Sequence, residues 1–149
     1  MAAFGTARSP ERLITSGIGS CIAVFLYDKK TKTGGLAHIM LPRGKGDDPA
    51  HAGRYADTGI KALIRLMGTN SLTAKIAGGS NMFAADQNKA AITVGKNNIE
   101  SVKQILAEKK IPVIAEDTGG LFGRTVTCHT DTGAVEVKIL TDPISRVVI

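Results

Sequence analysis

Two apolar runs joined by a polar turn dominate the hydropathy pattern of this chain. Residues 19–27 contain an uninterrupted apolar run of seven, Cys21-Ile22-Ala23-Val24-Phe25-Leu26-Tyr27. This run is too short for a typical helix and rich in β-branched and aromatic residues, so it predicts a strand. Residues 35–41, Gly35-Leu36-Ala37-His38-Ile39-Met40-Leu41, predict a second strand ended by Pro42. The polar segment Asp28-Lys29-Lys30-Thr31-Lys32-Thr33-Gly34 has turn chemistry, which makes the pair a hairpin. With residues 29–32 as the loop, Asp28 faces Thr33 and His38 faces Ala23. Side chains alternate along a strand, so Cys21 shares the face of Ala23 and becomes a diagonal neighbour of His38, about 7–8 Å away at the β-carbons. A register shifted by one residue would separate them.

Beyond the hairpin, residues 43–53 read as a glycine-rich, mobile loop. Residues 54–67 place Ala56, Ile60, Leu63, Ile64 and Met67 at helical spacing, and Gly68 supplies the stop. A short strand over 72–77 runs into Gly78-Gly79-Ser80-Asn81-Met82 and then a polar loop as far as residue 91. A second helix spans 96–109, with Ile99, Val102, Ile105 and Leu106 on one face. Strands follow over 111–115, 123–128 and 134–139. The order strands, helix, strand, helix, strands predicts an α+β or layered α/β fold, a mixed sheet or sandwich flanked by two main helices, in one domain spanning 1–149.

Composition narrows the class. The chain has 149 residues, 43% of them apolar, enough for a substantial core. No run approaches a membrane span and the start lacks the apolar segment of a secretory signal, so a cytoplasmic protein without membrane insertion is expected. Two cysteines, Cys21 and Cys128, are expected as free thiols in that compartment. The net charge is +6, but aromatic residues make up 4% and the lysines are dispersed. That pattern argues against nucleic acid, which needs stacking platforms or a basic tract, and suits attraction to an acidic protein surface.

Candidate chemistry centres on Cys21 and His38. The residues before the cysteine, Ser16-Gly17-Ile18-Gly19-Ser20, are mostly small, leaving room for a substrate and for backbone N–H groups near Ser20 and Cys21 to face an oxyanion. Gly34 and Gly35 would open space beside His38. Thr15, six residues before Cys21, carries a hydroxyl able to orient an imidazole. Physics alone leaves room for the plainer reading, a buried small cysteine and a satisfied core histidine. Metal-ligand spacing is absent: there is no C-x-x-C or H-x-x-x-H, and Cys128 and His129 would point to opposite faces of a strand. Neither phosphate-loop glycine fingerprint occurs. Gly78 to Asn81 would bring backbone close to the site, with Asn81 as a polar contact.

Five blocks in order carry a family resemblance: Gly19-Ser20-Cys21, Gly35-Leu36-Ala37-His38-Ile39-Met40-Leu41-Pro42, Arg54-Tyr55-Ala56-Asp57, Gly78-Gly79-Ser80-Asn81-Met82 and Ala115-Glu116-Asp117-Thr118-Gly119-Gly120. Over residues 13–140, leaving short tails, the chain resembles the CheD family of chemoreceptor glutamine deamidases. Lys29 and Ser80 depart from it, standing where the family usually has Pro and Ala. The resemblance implies hydrolysis of glutamine side chains in the cytoplasmic domain of methyl-accepting chemotaxis receptors, with Cys21, His38 and Thr15 as the catalytic triad and no metal or organic cofactor. It also implies that, in some species, the protein binds the phosphatase CheC, and a non-catalytic partner of CheC or a receptor is the alternative function. An imidazolium at His38 is expected to raise the thiolate fraction of Cys21. Arg43 and Lys45, beside His38 in sequence, are candidate substrate contacts together with Asn81.

Overall fold

The computed structural model describes residues 4–44, 49–82 and 89–149, and side chains at 49–50 and 89–92 lie outside that description. The chain forms β1 (Phe4–Arg8), β2 (Arg12–Ile18), β3 (Ile22–Asp28), β4 (Thr33–Ile39), a 3₁₀ turn (Pro49–Arg54), α1 (Ala56–Met67), β5 (Thr73–Gly78), α2 (Lys89–Glu108), β6 (Val113–Thr118), β7 (Arg124–His129), β8 (Val135–Ile139) and β9 (Ser145–Val148). These strands make two sheets, a five-stranded one in the order β1-β4-β3-β5-β6 and a four-stranded one in the order β2-β7-β8-β9. All pairings are antiparallel except β5 with β6, so the first sheet is mixed and the protein is α+β.

Every residue of β3 is buried, which explains its unbroken apolar run. A strand covered on both faces has no solvent side to alternate with. Ile22, Val24 and Leu26 pack against Ile60, Leu63 and Met67 of α1 and Val102, Ile105 and Leu106 of α2. Ala23, Phe25 and Tyr27 face the other way, onto Val126, Cys128, Val135 and Val137 of the second sheet. The layers therefore run helices, mixed sheet, antiparallel sheet. Each fully buried large apolar side chain here, such as Phe25 or Leu63, contributes about 1.5–3 kcal/mol relative to exposure.

The hairpin register is the expected one: Asp28 pairs with Thr33 and Ala23 with His38. Gly34 and Gly35 serve a different purpose from the one expected. A Cβ at Gly34 would lie 2.6 Å from the Phe25 ring, and one at Gly35 2.7 Å from the Met67 sulfur. They let the strand sit tightly between its neighbours and open no space for substrate.

Other elements differ from expectation at their ends. α2 starts at Lys89, not 96, despite Gly95 within it. That glycine is required by packing, because a Cβ there would stand 2.6 Å from the Gly79 carbonyl oxygen. Part of the loop expected over 43–53 is the 3₁₀ turn. Thr58 Oγ1 donates to the Ala52 carbonyl and ties the end of that turn to α1. Residues 4–8 and 145–148, which flank the stretch of family resemblance, are strands, β1 on the edge of the first sheet and β9 on the edge of the second. No helix among the described residues is long and apolar enough to cross a membrane.

Candidate active site

Cys21 occupies the last position before β3, in a turn whose carbonyl groups are held from one side. The Gly19 carbonyl accepts from Ser80 N–H at 2.9 Å and the Cys21 carbonyl from Gly79 N–H at 2.8 Å. Between them the Ser20 carbonyl accepts from Asn98 Nδ2 at 2.8 Å. Gly78, at φ +122°, makes this approach possible, since any Cβ there would collide with the Cys21 carbonyl oxygen. In a planar trans peptide the N–H points opposite to the carbonyl of the preceding residue. Tying back the Gly19 and Ser20 carbonyls therefore turns the Ser20 and Cys21 N–H groups away from β5 and α2. A cavity of about 290 Å³ beside this turn is lined by Gly17, Gly19, Ser20, Cys21, Ser80, Met82 and Val94 of α2.

His38 lies on the face of β4 that looks toward the second sheet, level with Ala23. Thr15 reaches it from β2 of that second sheet, with Oγ1 3.2 Å from His38 Nδ1. The two line a second cavity, of about 240 Å³, together with Phe4, Leu13 and Ile14, and Cys21 is not among its lining residues. Thus Thr15 and His38 are in direct contact across the two sheets, and Cys21 lies two positions before Ala23, the residue paired with His38. Cys21 and Cys128 are both free thiols, half-buried and buried respectively.

Electrostatics differ from expectation. Burial is the main influence on both groups, pushing the Cys21 thiol up and the His38 imidazole down from their ordinary values. Partial removal from water penalises each charged form, so the resting pair is a neutral thiol and a neutral imidazole rather than a thiolate with an imidazolium. His38 is then available at neutral pH as a base. Among the remaining candidates, Arg43 places its guanidinium 3.9 Å from Glu108. Glu108 lies ten residues, about 15 Å, along α2 from Asn98. The structure does not bring Arg43 to the cysteine cavity, and Lys45 lies outside the described residues. Asn81 donates its backbone N–H to Gly120 and buries its side-chain oxygen without a partner, adjoining rather than lining the cavity.

Two supporting groups escaped sequence reasoning. Arg124, almost fully buried, donates to Asp117 Oδ2 at 2.9 Å and to the Gly119 carbonyl at 2.9 Å. It ties the end of β6 to the start of β7, and the loop it holds receives the Asn81 N–H. The other is Asn98, whose signal was a polar residue on the buried stripe of α2, four and seven positions before Val102 and Ile105.

A helix-covered mixed sheet stacked on an antiparallel one, with a half-buried thiol and a histidine held by a threonine at one end, defines a layered α+β protein with the ingredients of a thiol enzyme. The chain belongs to the CheD family: residues 40–139 match the family model described as CheD chemotactic sensory transduction. Relatives carrying the name "Probable chemoreceptor glutamine deamidase CheD" span nearly the whole chain. One from Syntrophomonas wolfei is 41% identical over 94% of this chain and 91% of its own length. One from Haloarcula marismortui is 41% identical over 93% and 82%. Another, from Clostridium novyi, is 42% identical over 93% and 89%.

Proposed function

We propose that this protein is a chemoreceptor glutamine deamidase using Cys21 as nucleophile, His38 as acid–base and Thr15 as the group that orients the imidazole. The observation that carries the reading is the contact of Thr15 Oγ1 with His38 Nδ1, made from a different sheet and on the face that leads to Cys21. With the proton on Nδ1 the ring donates to Thr15, and the lone pair lies on Nε2. His38 Nε2 takes the thiol proton as the Cys21 sulfur bonds to the glutamine carboxamide carbon. The carbonyl oxygen becomes an oxyanion facing the Ser20 and Cys21 N–H groups, which are already turned outward and need no reorganisation. Collapse breaks the C–N bond, and His38 returns the proton so that nitrogen leaves as ammonia. A thioester remains. Water then loses a proton to His38 and attacks it, the C–S bond breaks, and Cys21 recovers its proton as the glutamate side chain departs. The reaction takes place in the cytoplasm, where the receptor's modified helices lie.

The test is incubation with a receptor cytoplasmic fragment followed by mass spectrometry of its peptides. Each Gln-to-Glu conversion adds about 1 Da, because NH₂ is replaced by OH. Conversion by the native protein and none by Cys21→Ala is the expected result. A folded native protein that binds the receptor fragment or CheC while leaving every glutamine mass unchanged would instead be the non-catalytic partner.

A further inference from the structure

Asn98 has no solvent exposure and sits in the middle of α2, facing the apolar layer between that helix and the mixed sheet. Its Nδ2 spends both of its protons on backbone carbonyls from separate parts of the chain, Ser20 at 2.8 Å and Met40 at 2.9 Å. Its Oδ1 is buried with no partner. For stability alone this is a poor choice, since an orphaned buried carboxamide oxygen is a cost that an apolar side chain would avoid. The donated bonds have a particular destination. The Ser20 carbonyl belongs to the same peptide plane as the Cys21 N–H, so holding one orients the other. Met40 lies two residues beyond His38, just past the last paired position of β4, Ile39.

We propose that Asn98 is a positioning residue for the thiol–imidazole pair. Its single amide group locks the peptide before the nucleophile to the strand end after the histidine, setting the direction of the Cys21 N–H and the separation of Cys21 from His38. Strand pairing sets His38 opposite Ala23 but stops at Ile22 with Ile39, so the Ser20–Cys21 peptide and Met40 lie outside it and are joined to each other through Asn98. The inference rests on the reading of Cys21 and His38 as catalytic.

The comparison that tests it uses Asn98→Ala, Asn98→Asp and Ser101→Ala. Ser101 Oγ donates to the Pro42 carbonyl at 2.9 Å, so its loss loosens α2 docking without touching the cysteine turn. Aspartate keeps the shape of Asn98 but presents oxygens where the two donors were. On a receptor fragment both Asn98 variants should lose about 10- to 100-fold in kcat with KM unchanged, while Ser101→Ala keeps its kcat. Iodoacetamide labelling of Cys21, read without any receptor, separates this from failure of the deamidase reading itself. His38→Ala should slow that labelling in the native background and have no further effect in Asn98→Ala, since the coupling is already lost. The proposal is overturned if kcat and labelling survive in both Asn98 variants, or if Ser101→Ala loses as much kcat as they do. It also fails if no Asn98 variant folds where Ser101→Ala does, which would make the residue purely structural.

Discussion

Cys21 and Cys128 are the same side chain in two regions of one molecule, and burial pushes both thiols toward the neutral form. Cys128 sits within β7, fully enclosed by the core between the sheets, with its pKa pushed up to about 12. Cys21 sits just outside β3, where pairing has ended, and opens onto a cavity. The difference lies in what stands beside each sulfur. Cys128 is enclosed by apolar residues of both sheets, and burial outweighs the opposing pull of the Lys75 charge, so its thiol stays protonated and out of reach of an electrophile. Cys21 opens onto a cavity, and His38, with its imidazole pKa lowered by burial, is paired with Ala23 two positions along the chain. A raised thiol pKa is therefore compatible with catalysis, provided that a base moves the proton as the bond forms.

The sharpest way to break this comparison is to remove each sulfur in turn. Cys21→Ala should bring ammonia release to the background while unfolding at the native temperature, and Cys128→Ala should retain turnover but lose about 1 kcal/mol of stability. A Cys21→Ala protein that still deamidates, or a folded Cys128→Ala protein that does not, inverts the assignment. Next in size is His38→Ala, with an expected loss of about 10²- to 10⁴-fold in kcat/KM, as for removal of an acid–base group. Because His38 must be neutral to accept a proton and its pKa is lowered from 6.5, the acid limb of the native profile should have its midpoint below pH 6.5. A pH-rate titration showing a midpoint above that value contradicts a buried neutral base.

Stability at high pH sharpens the contrast from the side of Cys128. An unfolded thiol ionises near pH 9, whereas Cys128 in the folded protein holds its proton to about 12. Between these values the unfolded chain binds fewer protons, so stability should fall as pH rises, by up to about 1.4 kcal/mol per pH unit. Denaturant titrations in a Cys21→Ala background, with and without Cys128→Ala, isolate this slope. The slope should flatten when Cys128 is absent. The smallest effect belongs to Thr15. Thr15→Ala should cost about tenfold in kcat, because packing still holds the ring approximately in place, and Thr15→Ser should recover most of it. Equal kinetics for the two variants would remove the hydroxyl from the mechanism.

Much of the scaffold was legible because it depends on local pattern. The double-sided burial of β3 left a continuous apolar run, the helical face of α1 repeated at the expected spacing, and the polar turn specified the hairpin register. Elements whose partners are remote were harder to see. β1 and β2 mix exposed and half-buried positions and β9 is exposed throughout, and each is a strand only because another strand lies beside it. The start of α2 was obscured by Gly95, whose absent side chain serves contact with Gly79, sixteen residues earlier.

For the candidate site, chemistry and assembly divide along the same line. Local pattern was enough to pick out side chains able to do thiol chemistry and the hairpin register that sets His38 opposite Ala23, two positions from Cys21. Only the tertiary structure decided that Thr15 arrives from the opposite sheet, that Asn98 grips both flanks, and that Arg43 turns toward Glu108. It also decided the resting protonation, reversing the expected ion pair. Composition and spacing carry no measure of how much water remains around a group, and desolvation acts on charge through that water.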